Sequence, residues 1–300
     1  MLKNIANRLL KRLAKRVAVE IFSGTEGAKQ QPVLQRLIIS DFKRELAVNG
    51  SPPRFSDAEF SVYSQNGEDG ILLLIFSLIG FTSRRVVEVC CGDGIECNAA
   101  NLIINHGFAG LLLDGGSINI ATGKEFYGQA TNAFRLRRLP PILVQTWITV
   151  ENLNSTIRTH GFAGDIDLLS VDVDGNDYWF WDAIDCISPR VVVAEYNNRV
   201  PADIAVSVPY DQDFSTFDPG QYGEGYFGCS LLGLRNLAKS KGYRLVGANS
   251  PNTNAFFLRQ DVGQVYFPEV TVAECLSSDY ARHQQSAKWA SLAVRNWVAV

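Results

Sequence analysis

The sequence predicts an α/β fold: an open, mostly parallel sheet with helices on both faces, finished by an antiparallel hairpin. Three observations carry this. Short apolar runs alternate with helix-like stretches through the middle of the chain, as they do when each crossover returns to a parallel sheet. Two of the runs, Leu168-Leu169 and Val191-Val192-Val193, are apolar at consecutive positions, which suits burial on both faces. Near the end, the runs at 243–247 and 255–259 lie so close in sequence that they must pair antiparallel.

Taken in order, residues 1–22 read as a basic amphipathic helix. Leu2, Ile5, Leu9 and Leu13 share one side, and residues 1–16 carry Lys3, Arg8, Lys11, Arg12, Lys15 and Arg16 with no acidic residue. Residues 23–60 read as a linker and N-terminal extension with one helix near 33–48. The main domain is expected over 61–265. It contains a helix at 68–79, a strand at 85–90, a helix through Asn105, and a strand at 109–113 that ends at Asp114. Then come a strand at 142–146, a helix at 150–160, and a strand at 166–171 that ends in Asp172. A helix at 178–184, a strand at 191–194 that ends at Glu195, and a helix at 231–241 closed by Gly242 precede the hairpin. The stretch 200–227, rich in Pro, Asp, Gly and Tyr, reads as a lid or substrate loop. Residues 266–300 read as a helical extension, with 280–300 one final helix packed through Trp289 and Trp297.

Composition narrows the function classes. The 300 residues carry a formal net charge of −3, which argues against general nucleic-acid binding. The six cysteines include no CxxC pair, so they read as reduced thiols in a cytoplasmic protein, and a zinc cluster is not expected. No apolar run is long enough to span a bilayer. Residues 1–17 have the pattern of a helix lying on an anionic membrane surface, such as the inner membrane face; packing on the domain or on a partner is the other reading. The histidines, His106, His160 and His283, are assigned no catalytic role, and the GxSxG elbow of a serine hydrolase is absent. The oligomeric state is not legible.

The strongest local signal is Val86-Val87-Glu88-Val89-Cys90-Cys91-Gly92-Asp93-Gly94. An apolar strand runs into an acid and then a glycine turn, where the backbone can approach a ligand closely. Asp114, at the end of the next strand, has the position of a carboxylate that binds ribose hydroxyls. Glu88, Gly92, Asp93, Gly94, Asp114 and Gly115 are therefore the candidate cofactor-binding residues. After Gly94 come Ile95-Glu96-Cys97, with no third glycine to seat a pyrophosphate and an acid that would repel one. S-adenosyl-L-methionine, which has no phosphate, suits this turn better than a dinucleotide.

These runs, with Ser64-Gln65-Asn66-Gly67-Glu68-Asp69, Leu113-Asp114-Gly115 and Asp167-Leu168-Leu169-Ser170-Val171-Asp172-Val173-Asp174-Gly175, resemble the FkbM-like branch of the class I methyltransferases over roughly residues 61–260. The resemblance implies a Rossmann-like seven-stranded sheet, S-adenosyl-L-methionine as cofactor, and O-methylation of a sugar, lipid-linked or secondary-metabolite hydroxyl. One residue departs from the family's pattern. Cys90 stands where glycine is usual, and its Cβ would crowd the methionine end of the cofactor.

A second constellation, Asp172-Val173-Asp174-Gly175-Asn176-Asp177, closes the fourth strand. Asp172, Asp174 and Asp177 are the candidate catalytic residues. With Glu195 and Asn197 at the end of the neighbouring strand, oxygen ligands could gather there around a Mg2+-type ion; Asp172, Glu195 and Asn197 are the candidate ligands. The alternatives are direct acid–base chemistry by the aspartates and simple capping of the next helix. The reading is thus a methyltransferase acting on a small-molecule or glycan acceptor. Its rivals are a non-catalytic scaffold, favoured by Cys90, and a nucleotide-dependent oxidoreductase.

Overall fold

The structure is a computed structural model that describes residues 26–133, 140–213 and 225–300. Helices α1 (Glu26–Asn49), α2 (Phe55–Ala58) and α3 (Glu68–Ile79) precede strand β1 (Arg85–Val89). Then follow α4 (Ala100–His106), β2 (Ala109–Asp114), α5 (Ser117–Ala133), β3 (Ile142–Gln145), α6 (Leu153–Thr159), β4 (Gly164–Val171), α7 (Asp177–Ala183) and β5 (Ile187–Glu195). The chain ends with β6 (Val206–Ser207), α8 (Leu231–Ser240), β7 (Tyr243–Ala248), β8 (Asn254–Arg259), α9 (Val272–Cys275), α10 (Asp279–Leu292) and β9 (Val298–Ala299).

Seven strands form one sheet in the order β3-β2-β1-β4-β5-β8-β7. The first five are parallel, and β8 runs antiparallel between β5 and β7. This is the Rossmann-like architecture with a terminal hairpin that the sequence predicts. The consecutive apolar residues of the strands are explained by the two cores they serve. Val87, Val89, Leu169, Val171 and Val192 face a core shared with α6, α7 and α8. Val86, Leu168, Val191 and Val193 face a core shared with α1, α3, α4 and α5. Each such side chain, fully buried, contributes roughly 1.5–3 kcal/mol.

The chain builds outward from β1 to β3, then returns to place β4 on the other side of β1. The crossovers diverge at that point, and a crevice opens at the carboxyl ends of β1 and β4.

Several elements differ from expectation. The helix α5 has no counterpart in the sequence reading. Strand β5 starts at Ile187, before the expected 191, and takes in Pro189. Proline fits there because β8 pairs with β5 only from Val191 onward, so its missing N–H costs no ladder bond. The final helix stops at Leu292 rather than running to the end; β9 then pairs antiparallel with β6, inside the stretch expected as lid. Trp297 secures this return by packing on Tyr226, with ring centroids 4.8 Å apart.

The stretch expected as linker packs on the domain from α1 onward. Phe42 and Ala58 are buried in the second core, Gln35 donates to Asn101 at 2.8 Å, and the Phe55 ring sits 5.4 Å from that of Phe256. Among the described residues, no helix is long and apolar enough to cross a membrane. The amphipathic pattern at 1–17 lies outside the described residues.

Candidate functional site

The sheet register decides which residues meet. Val89 of β1 is level with Leu113 of β2 and with Val171 of β4, and Val171 is level with Ala194 of β5. The next residue of each strand therefore emerges at one edge, in the order Asp114, Cys90, Asp172, Glu195.

On the β1–β2 side the groups are already arranged. Asp114 accepts from the Gly92 N–H through Oδ2 at 2.9 Å, and from the Gly116 N–H and Asn119 Nδ2 through Oδ1 at 2.7 and 3.0 Å. One carboxylate thus ties the two turns together, and Oδ2 keeps room for a further donor. Gly92 has φ of 59°, and a Cβ built on it would meet nothing within 4 Å. It faces open space. Gly94 does the opposite work. A Cβ there would come within 2.9 Å of Leu112, and its carbonyl accepts from Tyr127 Oη at 2.6 Å. Asp93 accepts from the Ile95 and Glu96 N–H groups at 2.9 and 3.4 Å and orders the turn.

Glu88 proves to serve the turn rather than the crevice. It is 3% exposed, and its oxygens accept from Asn98 N at 3.0 Å, Ala99 N at 2.7 Å and Ser170 Oγ at 3.2 Å. It holds the start of α4, where a negative charge is favoured. Burial raises its pKa nonetheless. Gly115 brings in a residue the sequence reading missed. A Cβ there would lie 2.8 Å from the ring of Trp147, which is 62% exposed and donates through Nε1 to the Gln212 carbonyl at 3.1 Å. Its signal in the sequence is a lone tryptophan just past the end of β3.

On the β4–β5 side the carboxylates are crowded. Carboxylate oxygens of Asp172, Asp174 and Glu195 all lie within 4.8 Å of one another. They do not converge by strand alternation. Strand β4 stops at Val171, and Asp174 turns back through a left-handed conformation with φ of 54°. Burial, then the charges of Asp177 and Asp174, push the Asp172 pKa well up; burial and then Asp172 do the same to Glu195.

Asp177 is not positioned for catalysis. It is fully buried and accepts from the Val173 and Gly175 N–H groups at 2.9 and 3.2 Å, so it holds the turn together. Burial pushes its pKa up to about 7. Asn197 is likewise engaged elsewhere: its Nδ2 donates to the Gly225 and Phe227 carbonyls at 2.9 Å each, and Oδ1 accepts from Arg199 N at 3.1 Å. It pins the following loop instead of joining the carboxylates.

Cys90 lies between the two halves. Its φ is 61°, the left-handed conformation in which a glycine would be unstrained. Burial, then the nearby charges of Asp114, Asp177, Asp172 and Asp174, push its thiol pKa well up. Of the aromatic residues in the 200–227 stretch, Tyr210 accepts from Val150 N at 3.3 Å and Tyr226 packs on Trp297, while Phe214, Phe217 and Tyr222 lie outside the described residues.

No family model matches the chain, and no curated protein is similar to it in sequence. Solved structures do align. An O-methyltransferase from Bacillus cereus in complex with SAH is 12% identical, covering 73% of this chain and 88% of that one with a TM-score of 0.40. An S-adenosylmethionine-dependent methyltransferase from Clostridium acetobutylicum is 11% identical, covering 72% and 95% with a TM-score of 0.38. Likenesses this distant do not extend to substrate or residue roles. The fold rests on the strand order itself.

Proposed function

We propose that this chain is an S-adenosyl-L-methionine-dependent methyltransferase of the FkbM-like kind, acting on a hydroxyl of a sugar, lipid-linked glycan or secondary metabolite. The observation that carries the reading is the meeting of Asp114, the open face of Gly92 and the carboxylate of Asp172 at one sheet edge. The residues fit the cofactor. Asp114 Oδ2 has capacity for a ribose hydroxyl, and Gly92 leaves space for a close approach. When bound, the cofactor supplies an electrophilic methyl group on a sulfonium.

The protein's contribution is mainly positioning. Asp114 fixes the nucleoside end, and the Cys90–Gly94 turn sets the depth of the crevice. Asp172 faces the acceptor and takes up the hydroxyl proton; a carboxylate with a raised pKa is a better base for this than an ordinary one. The expected setting is cytoplasmic, with residues 1–17 reaching an anionic membrane surface and no nucleic-acid partner.

Isothermal titration with S-adenosylhomocysteine tests the reading. The wild-type chain binds, and Asp114→Ala weakens binding at least about tenfold, or roughly 1.4 kcal/mol. Absence of binding to the wild type sinks the proposal. A non-catalytic scaffold is the second reading, and the left-handed Cys90 favours it. Binding that appears only in Cys90→Gly would support that reading.

A further inference from the structure

We infer that the outward face of α1 is a lipid-docking surface, which lays this helix along a bilayer that carries anionic headgroups. The inference does not depend on the chemistry proposed for the crevice.

The helix has more apolar surface than the fold uses. Gln35 and Phe42 are buried, and Phe42, Ile38 and Ile39 pack on the second core. This inner face lies against α3 and α4. At about 3.6 residues per turn, Val33, Leu37 and Val48 fall on the opposite side, with Leu34 at its margin. Val33, Leu34 and Leu37 are 50%, 48% and 62% exposed, and Val48 is 78% exposed. Asp41 and Arg44 share this side, but they pair with each other, so they leave no uncompensated charge in the stripe. Exposed apolar side chains are ordinary when scattered. Three within five consecutive positions, on a helix that already has a packing face, mark a second surface to be covered.

Charge distinguishes the possible occupants. Arg36 and Lys43, seven positions apart, run along one edge of the stripe and are exposed. The chain that leads into this helix carries Lys3, Arg8, Lys11, Arg12, Lys15 and Arg16 within residues 1–16, and no acid. A second copy of α1 would bring like charges together, and so would residues 1–16 folded back over the stripe. Anionic headgroups meet both needs at once. The apolar side chains enter the boundary between headgroups and acyl chains, and the basic ones reach the headgroups along their flexible stems. Beyond residue 16 acids outnumber bases, so an anionic bilayer repels the remainder of the chain and favours this approach. Helix α1 is also held on the domain, through Phe42 and through Gln35, which donates to Asn101 at 2.8 Å. Docking by α1 therefore sets how the domain is oriented on the membrane, which a tether through residues 1–17 alone does not.

Co-sedimentation of the full chain with vesicles tests the inference. Vesicles of phosphatidylcholine and phosphatidylserine at about two to one are expected to carry down the wild type. Pure phosphatidylcholine vesicles carry down little, and added salt releases the protein. The triple variant Val33→Thr, Leu34→Gln, Leu37→Gln lowers the partition coefficient at least about tenfold. Its urea midpoint and its mass by light scattering stay those of the wild type, because the three positions are exposed. The pair Val265→Gln, Val294→Gln, at exposed apolar positions elsewhere, leaves partitioning unchanged. A wild type that ignores anionic vesicles overturns the inference. So does a triple variant that binds them as well as the wild type, which would leave the contact to residues 1–17. A clear fall in the triple variant's urea midpoint overturns it in favour of a cover from the same chain, and a wild-type dimer that the triple variant splits overturns it in favour of a second copy.

Discussion

Two aspartates that bracket the end of one strand, Asp167 within β4 and Asp172 just beyond it, live in opposite environments. Asp167 is fully buried, yet it pairs with Arg190 at 2.9 Å and accepts from the backbone of Thr82 and Arg84. Burial works against its charge, but these hydrogen bonds outweigh it and hold its pKa below the usual carboxylate range. Asp172 has no such donors, and burial with two neighbouring aspartates drives its pKa the other way. One carboxylate is complete within the fold. The other is kept in a state the fold does not satisfy. Residues of the second kind at the edge where α/β sheets bind ligands are candidates for chemistry.

The contrast can be broken in several ways. Asp167→Asn should be the most damaging change. It leaves the Arg190 guanidinium buried without its counter-charge, and the loss expected from a broken buried pair is about 3–5 kcal/mol, read as a lower urea midpoint. A loss below about 1 kcal/mol would mean that the pair is not structural.

Gly123→Ala comes next. A Cβ there would lie 2.3 Å from the Asp93 carbonyl oxygen, so helix α5 must move off the cofactor turn. The expected cost is about 1–3 kcal/mol, accompanied by weaker S-adenosylhomocysteine binding. Retained stability would show that the turn gives way easily.

Asp172→Asn should act in the opposite direction. A carboxyl whose folded pKa is raised contributes stability that is complete below the unfolded value of about 4 and is lost as pH rises through the folded value. Asp177, raised to about 7, acts in the same direction but is present in both proteins. In metal-free buffer the variant should therefore be the more stable protein at pH 7.5, by about 1 kcal/mol, with no advantage at pH 4. Denaturant titrations at the two pH values check this, and a variant less stable at pH 7.5 would contradict it.

Cys90→Gly should have the smallest effect. It relieves a left-handed non-glycine residue, worth about 1 kcal/mol before the added flexibility of the unfolded chain is subtracted. The net change in melting temperature should be small and positive. A clear fall would mean that the thiol packs usefully.

Much of this molecule was legible in the sequence. The helix at 68–79 has the bounds expected of it, because the apolar residues from Ile71 to Phe76 and the flanking Gly67 and Gly80 leave little choice. The strand tips were legible because apolar runs end in an acid. Helix α5 was not. It carries Gly123 and Gly128, and what makes glycine right at 123 is the close Asp93 carbonyl, a contact between distant parts of the chain. Strand β9 is too short to have a period, and its partner β6 lies far away in sequence. Within the site, position alone could not separate Asp177, which faces inward to its own turn, from Asp172 and Asp174, which face the crevice. The left-handed turn at Asp174 decides that, and Asp174 is not a residue type that announces such a turn as glycine does.

The account depends on one crevice having a nucleoside end at Asp114 and a reacting end at Asp172. A crystal structure of the S-adenosylhomocysteine complex tests this most directly. It should place the ribose hydroxyls on Asp114 and the sulfur over the Cys90–Gly94 turn, facing Asp172. A ligand held at any other edge of the sheet, or no ligand at saturating concentration, would contradict it.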